Sequence, residues 1–311
     1  MKGTHEHVVD ARNEGILIDI NGQHFSREEA KISVFDSGFI LGDGVWEGLR
    51  VESNTVLFLE SHLQRLFEAM KTLVFEPDFN KQQLSSRIYR LLAANGMVDG
   101  VHIRLMVSRG VKATPYQDPR MTITPPTVVI IPEYKKVLPQ TLDKGVRLYT
   151  VYVRRGYSDV QDPALNTHSK LNCIGACIQA GQAGFDEALM LDPHGFVATC
   201  NSTHFFIVRR GEVWTSTGDY CLDGITRAKV LDMAEKMGLT VRQTNFTLTD
   251  VYNAEEAFVT GTFAGLVPVT EVDGRIIGDR LERPMIKRLQ ERFREVVGTY
   301  IKGPGAQHVR S

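Results

Sequence analysis

The sequence predicts an α+β fold in two domains. Its 311 residues exceed what one ordinary domain needs. Strand patterns stand before and after two consecutive helical patterns, which favours an α+β arrangement over repeated βαβ units. A polar, charged stretch with two prolines then separates the two halves of the chain. We therefore predict a small N-terminal α+β domain at 1–131, an interdomain linker at 132–142 and a larger, strand-rich C-terminal domain at 143–311 with a loose tail from about 299.

The first half opens with a predicted β-hairpin. Asn21-Gly22 separates two short strand-like runs, and this dipeptide is the strongest short-range hairpin signal. Apolar residues at i, i+3 and i+4 predict two helices, at 61–73 and 79–95. Strands are predicted around them, at 44–51, 56–59, 100–108 and 127–131.

The second half contains more strands, separated by turn residues. They are predicted at 146–153, 187–191, 195–197, 203–208, 213–215 and 256–260. Helical patterns are predicted at 170–184, 226–237 and 280–297.

Composition excludes several classes of protein. Charged residues make up 23% of the chain and the formal net charge is −1, so no polybasic surface for nucleic acid or membrane is expected. No apolar run approaches the ~20 residues of a membrane-spanning helix. Four cysteines are too few for a disulfide framework, which favours a reducing, cytoplasmic compartment. His5 and His7 lack a third ligand at useful spacing, so no metal site is predicted.

Lys170 is the candidate reactive residue. It stands in the run NTHSKLN at 166–172, at the start of a helical pattern rich in small residues. By default such a lysine is a solvated surface charge. A lysine amine can also attack a carbonyl group and form a Schiff base. The features that accompany Lys170 elsewhere in the chain decide between these roles.

Three further segments could each bind an anion. Gly224-Ile225-Thr226 opens a helical pattern, and helix N-termini bind phosphate through unpaired backbone N–H groups; ordinary capping by Thr226 is the alternative. Gly261-Thr262 ends a strand in small residues, which either admit an anion to the backbone or simply form a turn. Arg65 lies beside an apolar helix stripe and either clamps a phosphate or forms a surface salt bridge. Together with Lys170, these elements indicate a phosphorylated aldehyde cofactor.

The order of these motifs resembles that of the class IV pyridoxal-phosphate enzymes. This family includes branched-chain aminotransferases, D-amino acid aminotransferases, (R)-selective amine transaminases and aminodeoxychorismate lyases. The resemblance runs from about residue 15 to residue 281. Its blocks are FDSG at 35–38, GDGVWEGLR at 42–50, HLQRL at 62–66, HIR at 102–104, Lys170 with Asn172, DEAL at 186–189, GFV at 195–197, LDGITR at 222–227, GT at 261–262 and VPV at 267–269.

The resemblance implies a fold, a cofactor and an assembly. The fold is the two-domain fold type IV, with pyridoxal 5′-phosphate held between the domains. The assembly is a homodimer whose subunits share their active sites. By motif, Lys170 is the Schiff-base lysine, and it carries the proton between the substrate Cα and the cofactor C4′. The phosphate ligands implied by motif are Arg65, Ile225, Thr226 and Thr262, and Gly224 and Gly261 are further cofactor-binding residues.

Thr199 is the main departure from the family pattern. The family places a glutamate there, which hydrogen-bonds the ring nitrogen of the cofactor, and it places an asparagine where this chain has His204. A carboxylate keeps that nitrogen protonated, whereas a threonine can only donate or accept a hydrogen bond. We expect Thr199 to face the ring nitrogen through a water molecule. Two readings of this departure stay open, an active enzyme with a weaker electron sink or an inactive paralogue.

Substrate contacts are also implied by motif. Arg104 matches the arginine that branched-chain enzymes place near the substrate carboxylate, and Trp46 occupies an aromatic pocket position with plain core packing as its alternative. Phe263 matches the floor of the pocket, and Ala264 beside it is a further substrate-binding candidate. Arg50 either contacts substrate or forms an ion pair with Glu47.

The function implied is a ping-pong transamination from an amino acid to a 2-oxo acid. Apolar L-amino acids are the expected donors, with (R)-primary amines as further candidates because no trap for a second carboxylate is visible. The alternatives are β-elimination of the aminodeoxychorismate lyase kind and a catalytically weak protein that binds the cofactor.

Overall fold

The computed structural model of the protein describes residues 3–279, 282–303 and 309. These residues form two compact units. The N-terminal unit holds residues 8–136 and 165–169, together with the described residues from 300 onward. The C-terminal unit holds the described residues up to 7, then 137–164 and 170–299.

The N-terminal unit is built on one antiparallel sheet with the strand order β2-β1-β6-β5-β3-β4. Its strands are β1 (Leu17–Ile20), β2 (Gln23–Ser26), β3 (Gly44–Glu52), β4 (Thr55–Val56), β5 (Val101–Ser108) and β6 (Thr127–Tyr134). Its helices are α1 (Ser37–Leu41), α2 (Leu59–Thr72) and α3 (Lys81–Ala94), with single 3₁₀ turns at Ala11–Gly15 and Pro119–Met121.

One face of this sheet forms the core of the unit. Alternate residues of β3, among them Val45, Leu49 and Val51, are buried in a cluster with the apolar stripes of α2 and α3. A capping box between Asn80 and Gln83 fixes the start of α3. The intervening residues of β3 and β5 point to the opposite face, so this alternation separates core residues from candidate site residues.

The C-terminal unit is built on a mixed nine-stranded sheet. Its order is β12-β11-β10-β13-β14-β7-β8-β9, with β15 paired to β14. The strands are β7 (Val146–Thr150), β8 (Glu187–Leu191), β9 (Val197–Cys200), β10 (His204–Arg209), β11 (Glu212–Thr215), β12 (Val241–Gln243), β13 (Glu256–Gly261), β14 (Gly265–Val272) and β15 (Arg275–Ile276). The helices are α4 (Pro139–Lys144), α5 (Ser158–Gln161), α6 (Leu171–Gln182), α7 (Ile225–Lys236), α8 (Leu248–Tyr252) and α9 (Pro284–Lys302).

The two faces of the large sheet carry different layers. One face is filled by apolar residues such as Leu148, Leu189 and Val259. On the other face, Ala188 and Met190 of β8 pack in a cluster with two alanines of α6. Helix α7 packs against β13.

The predicted α+β class is confirmed, as are the Asn21-Gly22 hairpin and the two helices that became α2 and α3. The predicted linker start at 132 is wrong, because Pro132 continues β6 and pairs with Ile103. A proline weakens a strand only where its missing N–H would pair. On its other side, β6 pairs with β1 at Val129 and Ile130, which both precede Pro132. The proline therefore lies in a part of β6 where the ladder with β1 has already ended.

The ends of the chain differ from the predicted domain limits. Thr4 and His5 belong to the C-terminal unit, where Thr4 bonds the carboxylate of Glu187. Helix α9 continues to Lys302, and Tyr300 packs against Phe58, so the chain is not loose at 299–302. The rest of the predicted tail lies outside the described residues, apart from 303 and 309. The crossing between 136 and 137 falls inside the predicted linker, and the three-part domain division otherwise stays a prediction.

Candidate active site

Lys170 is the N-cap residue of α6 and is half-buried. The first turn of α6 is tied to the end of β8 by Arg155, whose Nη1 donates to Asn172 Oδ1 at 3.2 Å and whose backbone N donates to Leu191 O at 2.9 Å. Thr199 pairs with Met190, the residue before Leu191. Paired residues of an antiparallel ladder share a face, so Thr199 lies on the face that α6 covers. The structure thus brings the start of the lysine helix and Thr199 to one side of the sheet.

The start of α7 lies on the same side, because it contacts His204, which neighbours Phe205 of the opposite, apolar face and therefore points away from that face. Gly224 is its N-cap, so the alternative that Thr226 caps this helix is wrong. A glycine has no side chain to accept from the first N–H groups, and the first intrahelical bond runs from Ala228 N to Gly224 O. The imidazole of His204 lies over Gly224, where a Cβ would come within 2.3 Å of the ring. His204 Nε2 donates to Leu222 O at 2.6 Å, which fixes the ring there.

The turn between β13 and β14 contains the other small residues. Gly261 pairs with Gly265, and Thr262 forms part of the tip between them. A Cβ on Gly261 would lie 3.5 Å from Thr203 Cγ2, which brings this turn against the turn between β9 and β10. Phe263 and Ala264 are buried, and the ring of Phe263 stacks on His5 with 5.6 Å between centroids.

Thr199 is held in a tight turn. Its Oγ1 donates to Thr203 O at 2.9 Å, and the same carbonyl accepts from Cys200 N at 2.9 Å. The side chain of Thr203 donates to Glu187 Oε1 at 2.7 Å. Burial raises the pKa of Glu187, although hydroxyl donors from Ser202, Thr203 and Thr4 favour its ionised form. Sequence reasoning placed Glu187 only within a motif block and missed its contact with Thr203, since no local pattern marks a carboxylate that is satisfied by residues far along the chain.

Arg65 belongs to the N-terminal unit. Its Nε and Nη2 donate to the two carboxylate oxygens of Glu47, at 2.8 and 2.6 Å. His62 Nδ1 lies 2.7 Å from Glu47 Oε2. Both Arg65 and His62 lower the pKa of the buried Glu47 against the effect of burial, and burial lowers the pKa of His62. The pairing uses two of the five N–H donors of the guanidinium.

Glu47 could have been found from the sequence. It alternates with Val45 and Leu49 on the core face of a strand, and a carboxylate at such a position must have a partner.

The remaining substrate candidates lie on the opposite face of the N-terminal sheet. Arg104 Cζ stacks 3.8 Å from the ring centroid of Trp46, whose Nε1 donates to Thr167 O at 3.1 Å. Arg50 pairs with Glu52 at 2.6 Å. The alternative of an Arg50–Glu47 ion pair is therefore wrong, because residues three apart on a strand point to opposite faces.

The predicted residues thus fall into two sets, each described within its own unit. Lys170, Thr199, Gly224, Ile225, Thr226, Gly261, Thr262, Phe263 and Ala264 belong to the C-terminal unit. Trp46, Arg50, Arg65 and Arg104 belong to the N-terminal unit.

Metal sites and membrane-spanning helices are both absent from the described residues. No group of three or more His, Cys, Asp or Glu side chains within the ranges given above is placed to hold a metal ion. No helix in that part of the chain is long and apolar enough to cross a membrane.

Comparison with known proteins places this arrangement in a family. Residues 44–272 match the model of the family described as "Amino-transferase class IV". A putative branched-chain-amino-acid aminotransferase of Methanocaldococcus jannaschii is 38% identical over 90% of this chain and 96% of that protein. The branched-chain-amino-acid aminotransferase-like protein 2 of Arabidopsis thaliana is 36% identical over 96% of this chain and 54% of that protein. The chain spans about half the length of the plant relatives it matches.

A solved structure agrees with the sequence comparisons. A branched-chain amino acid aminotransferase of T.th., in complex with N-(5′-phosphopyridoxyl)-L-glutamate, superposes with a TM-score of 0.85. It is 30% identical and covers 95% of this chain and 99% of its own. The chain therefore belongs to the class IV aminotransferases, a family of enzymes that depend on pyridoxal 5′-phosphate.

Proposed function

We propose that the protein is a transaminase that moves an amino group from an apolar L-amino acid to a 2-oxo acid, and that it also accepts (R)-primary amines. The observation that carries this is the position of Lys170 at the start of α6, on the sheet face that also holds Thr199. The relatives support the substrate class, since those compared above are named for branched-chain amino acids.

The donor set on this face fits a phosphorylated cofactor. The N–H groups at the start of α7 have no intrahelical acceptor, and such groups bind phosphate. Thr260 Oγ1 is fully buried and has no hydrogen-bond partner among the described residues, and it lies beside Gly261 at the end of β13. We assign the phosphate to Ile225, Thr226 and Thr262, with Gly224 and Gly261 keeping the backbone approachable. Arg65 as a further clamp rests on its motif.

The chain's own residues supply the rest of the chemistry. Joined to the substrate amine in place of Lys170, pyridoxal 5′-phosphate would withdraw electrons from the Cα of that amine. The amine of Lys170, freed by this exchange, would take the α-proton and deliver it to the cofactor C4′. Thr199 would contact the ring nitrogen. By the family resemblance, Arg104, which stacks on Trp46, would receive the substrate carboxylate together with Arg50. Phe263 and Ala264 would line the substrate pocket on the same ground.

Assembly and location complete the proposal. We assign a homodimer with shared active sites on the strength of the family resemblance. A cytoplasmic location is supported by the four cysteines, Cys173, Cys177, Cys200 and Cys221, none of which forms a disulfide.

Lys170→Ala tests the proposed nucleophile. Wild-type protein treated with borohydride should carry a reduced cofactor adduct on the peptide that contains Lys170, and the variant should carry none, because only that amine forms the linkage. Peptide mass spectrometry measures this. Lys236→Ala, which removes an exposed lysine paired with Asp232, is the control and should label like wild type. An adduct on another lysine would overturn the assignment.

The same preparation separates transamination from its alternatives. Addition of an apolar L-amino acid should convert the bound cofactor to its pyridoxamine form, and a 2-oxo acid should reverse the change. β-Elimination without this conversion, or no spectral change with any amine, would contradict the proposal.

A further inference from the structure

The direction of one hydrogen bond at Thr199 is fixed by chemistry. Its Oγ1 lies 2.9 Å from the backbone oxygen of Thr203. A carbonyl oxygen can only accept, so the hydroxyl proton must point to Thr203. Thr199 is 5% exposed. Among the described residues, its hydroxyl group forms a hydrogen bond with Thr203 O. What Thr199 presents elsewhere is therefore oxygen lone pairs.

The accepting carbonyl is itself held in place. Thr203 O closes a turn by accepting from Cys200 N at 2.9 Å. The side chain of Thr203 is bound by Glu187, a carboxylate that is 4% exposed and that also accepts from Ser202 Oγ at 2.7 Å. Two bonds from Thr203 thus anchor the turn, one through its carbonyl and one through its hydroxyl. The anchor opposes rotation of the Thr199 hydroxyl toward another acceptor.

We propose that Thr199 acts only as a hydrogen-bond acceptor toward the ring nitrogen of the cofactor, and that Thr203, held by Glu187, is the positioning residue that enforces this polarity. The inference rests on the proposed function, because it needs the cofactor to bind at Lys170 with its ring at Thr199. A hydroxyl that faces a pyridine nitrogen can in general donate to the neutral form or accept from the protonated form. With its proton committed to Thr203, Thr199 can bind only the protonated ring directly.

This polarity changes what the departure from glutamate means. With threonine at position 199 in place of the family's glutamate, the ring nitrogen can still be protonated, because a hydrogen-bond acceptor favours the N–H form over the neutral form. The acceptor is uncharged, so its preference is weaker than that of a carboxylate. As in the family contact, the ring N–H would donate to an oxygen of the protein, but the neutral hydroxyl of Thr199 would stabilise the protonated nitrogen less than a carboxylate does.

The test reads the protonation of the nitrogen directly. Protein is reconstituted with pyridoxal 5′-phosphate labelled with ¹⁵N in the ring, and the ¹⁵N chemical shift is recorded at neutral pH. Wild type and Thr199→Ser should both show the protonated nitrogen. Thr199→Val, which has the same shape without the oxygen, should shift the signal toward the neutral form. A neutral nitrogen in wild type, as a bridging water that donates to both groups would give, overturns the proposal, and so does an unchanged shift in Thr199→Val.

Thr203 is tested against a matched neighbour. Thr203→Val removes the hydroxyl that anchors the turn, and Ser202→Ala removes a hydroxyl bound to the same oxygen of Glu187. The signal should move in Thr203→Val and stay near wild type in Ser202→Ala. If the ¹⁵N signal moved equally in Thr203→Val and Ser202→Ala, the effect would come from the loss of any hydroxyl beside Glu187. That result would overturn the positioning role of Thr203. Thermal unfolding confirms that each variant is folded. Absence of the adduct at Lys170 would refute the proposed function, whereas an adduct with a nitrogen insensitive to Thr199 would refute this inference alone.

Discussion

Arg65 has a partner that its motif does not reveal. Glu47 accepts from two of its donors in a forked arrangement, and the arginine is 15% exposed at its side chain. A bidentate pair fixes the plane of the guanidinium group. A flexible surface arginine would lose conformational entropy to reach the same orientation on binding phosphate. A salt bridge to Glu47 and a phosphate clamp are therefore compatible roles for this residue, since the bidentate pair holds the guanidinium in a defined plane.

Arg65→Ala tests the clamp. Loss of one charge-assisted contact should cost about 1.5–3 kcal/mol of cofactor binding, which is roughly tenfold to a hundredfold in Kd. Equilibrium dialysis of the folded protein measures it. Arg109→Ala is the matched control, because Arg109 is 11% exposed in the same unit and forks onto Asp43 at 2.6 and 3.1 Å. Equal weakening by both variants would refute the phosphate role of Arg65.

At the scale of one element, the start of α7 depends on the absence of a side chain. Gly224 has an ordinary φ of −75°, so a glycine is not needed for the backbone conformation. It is needed because His204 occupies the space of a Cβ. The ring reaches Leu222 O from there, and the first N–H groups of α7 stay accessible.

Gly224→Ala should displace His204 and disturb both the fold and the phosphate site. Overpacking of this kind costs about 1–3 kcal/mol, and cofactor affinity should fall with it. Gly181→Ala is the control, since it lies in α6 with nothing within 4 Å of the added Cβ and should stabilise the protein by about 0.5–1 kcal/mol. Thermal midpoints and cofactor Kd are compared. A Gly224→Ala protein that matches wild type in both would contradict the role assigned to this contact.

At the scale of the whole molecule, the free energy of unfolding should decrease as the pH falls below neutrality, because His62 and Glu47 form a buried pair. Burial lowers the pKa of His62 below its ordinary 6.5, so the folded protein binds fewer protons there than the unfolded chain does. The resulting stability is present above about pH 6.5 and is lost as the pH falls through the lowered pKa. The lowered pKa of Glu47 acts in the same direction below its ordinary 4.5.

His62→Gln should flatten this dependence between pH 7.5 and 5.5, since glutamine can still donate to Glu47 without titrating. One proton accounts for at most about 1.4 kcal/mol per pH unit. Urea unfolding of both proteins at three pH values measures the slope. If the variant keeps the slope of wild type, His62 is not its source.

The sequence by itself determined much of the local structure and supplied the list of candidate site residues. The periodicity of apolar residues located α2 and α3, Asn21-Gly22 located the first hairpin, and motif order identified the family before any contact was known. These features are local, so short windows of sequence record them. The helix predicted from residue 226 begins at Ile225 in the structure, and Gly224 rather than Thr226 is its cap.

Only the tertiary structure decided how those residues are held. The fork of Glu47 on Arg65 joins residues 18 apart, the contact of His204 with Gly224 joins residues 20 apart, and Thr4 reaches Glu187 across 183 residues. The polarity of the Thr199 hydroxyl also depends on which atom its turn places beside it. Hydrogen-bond direction is a property of two atoms in space, and residue types along a chain do not specify it until the fold brings those atoms within reach.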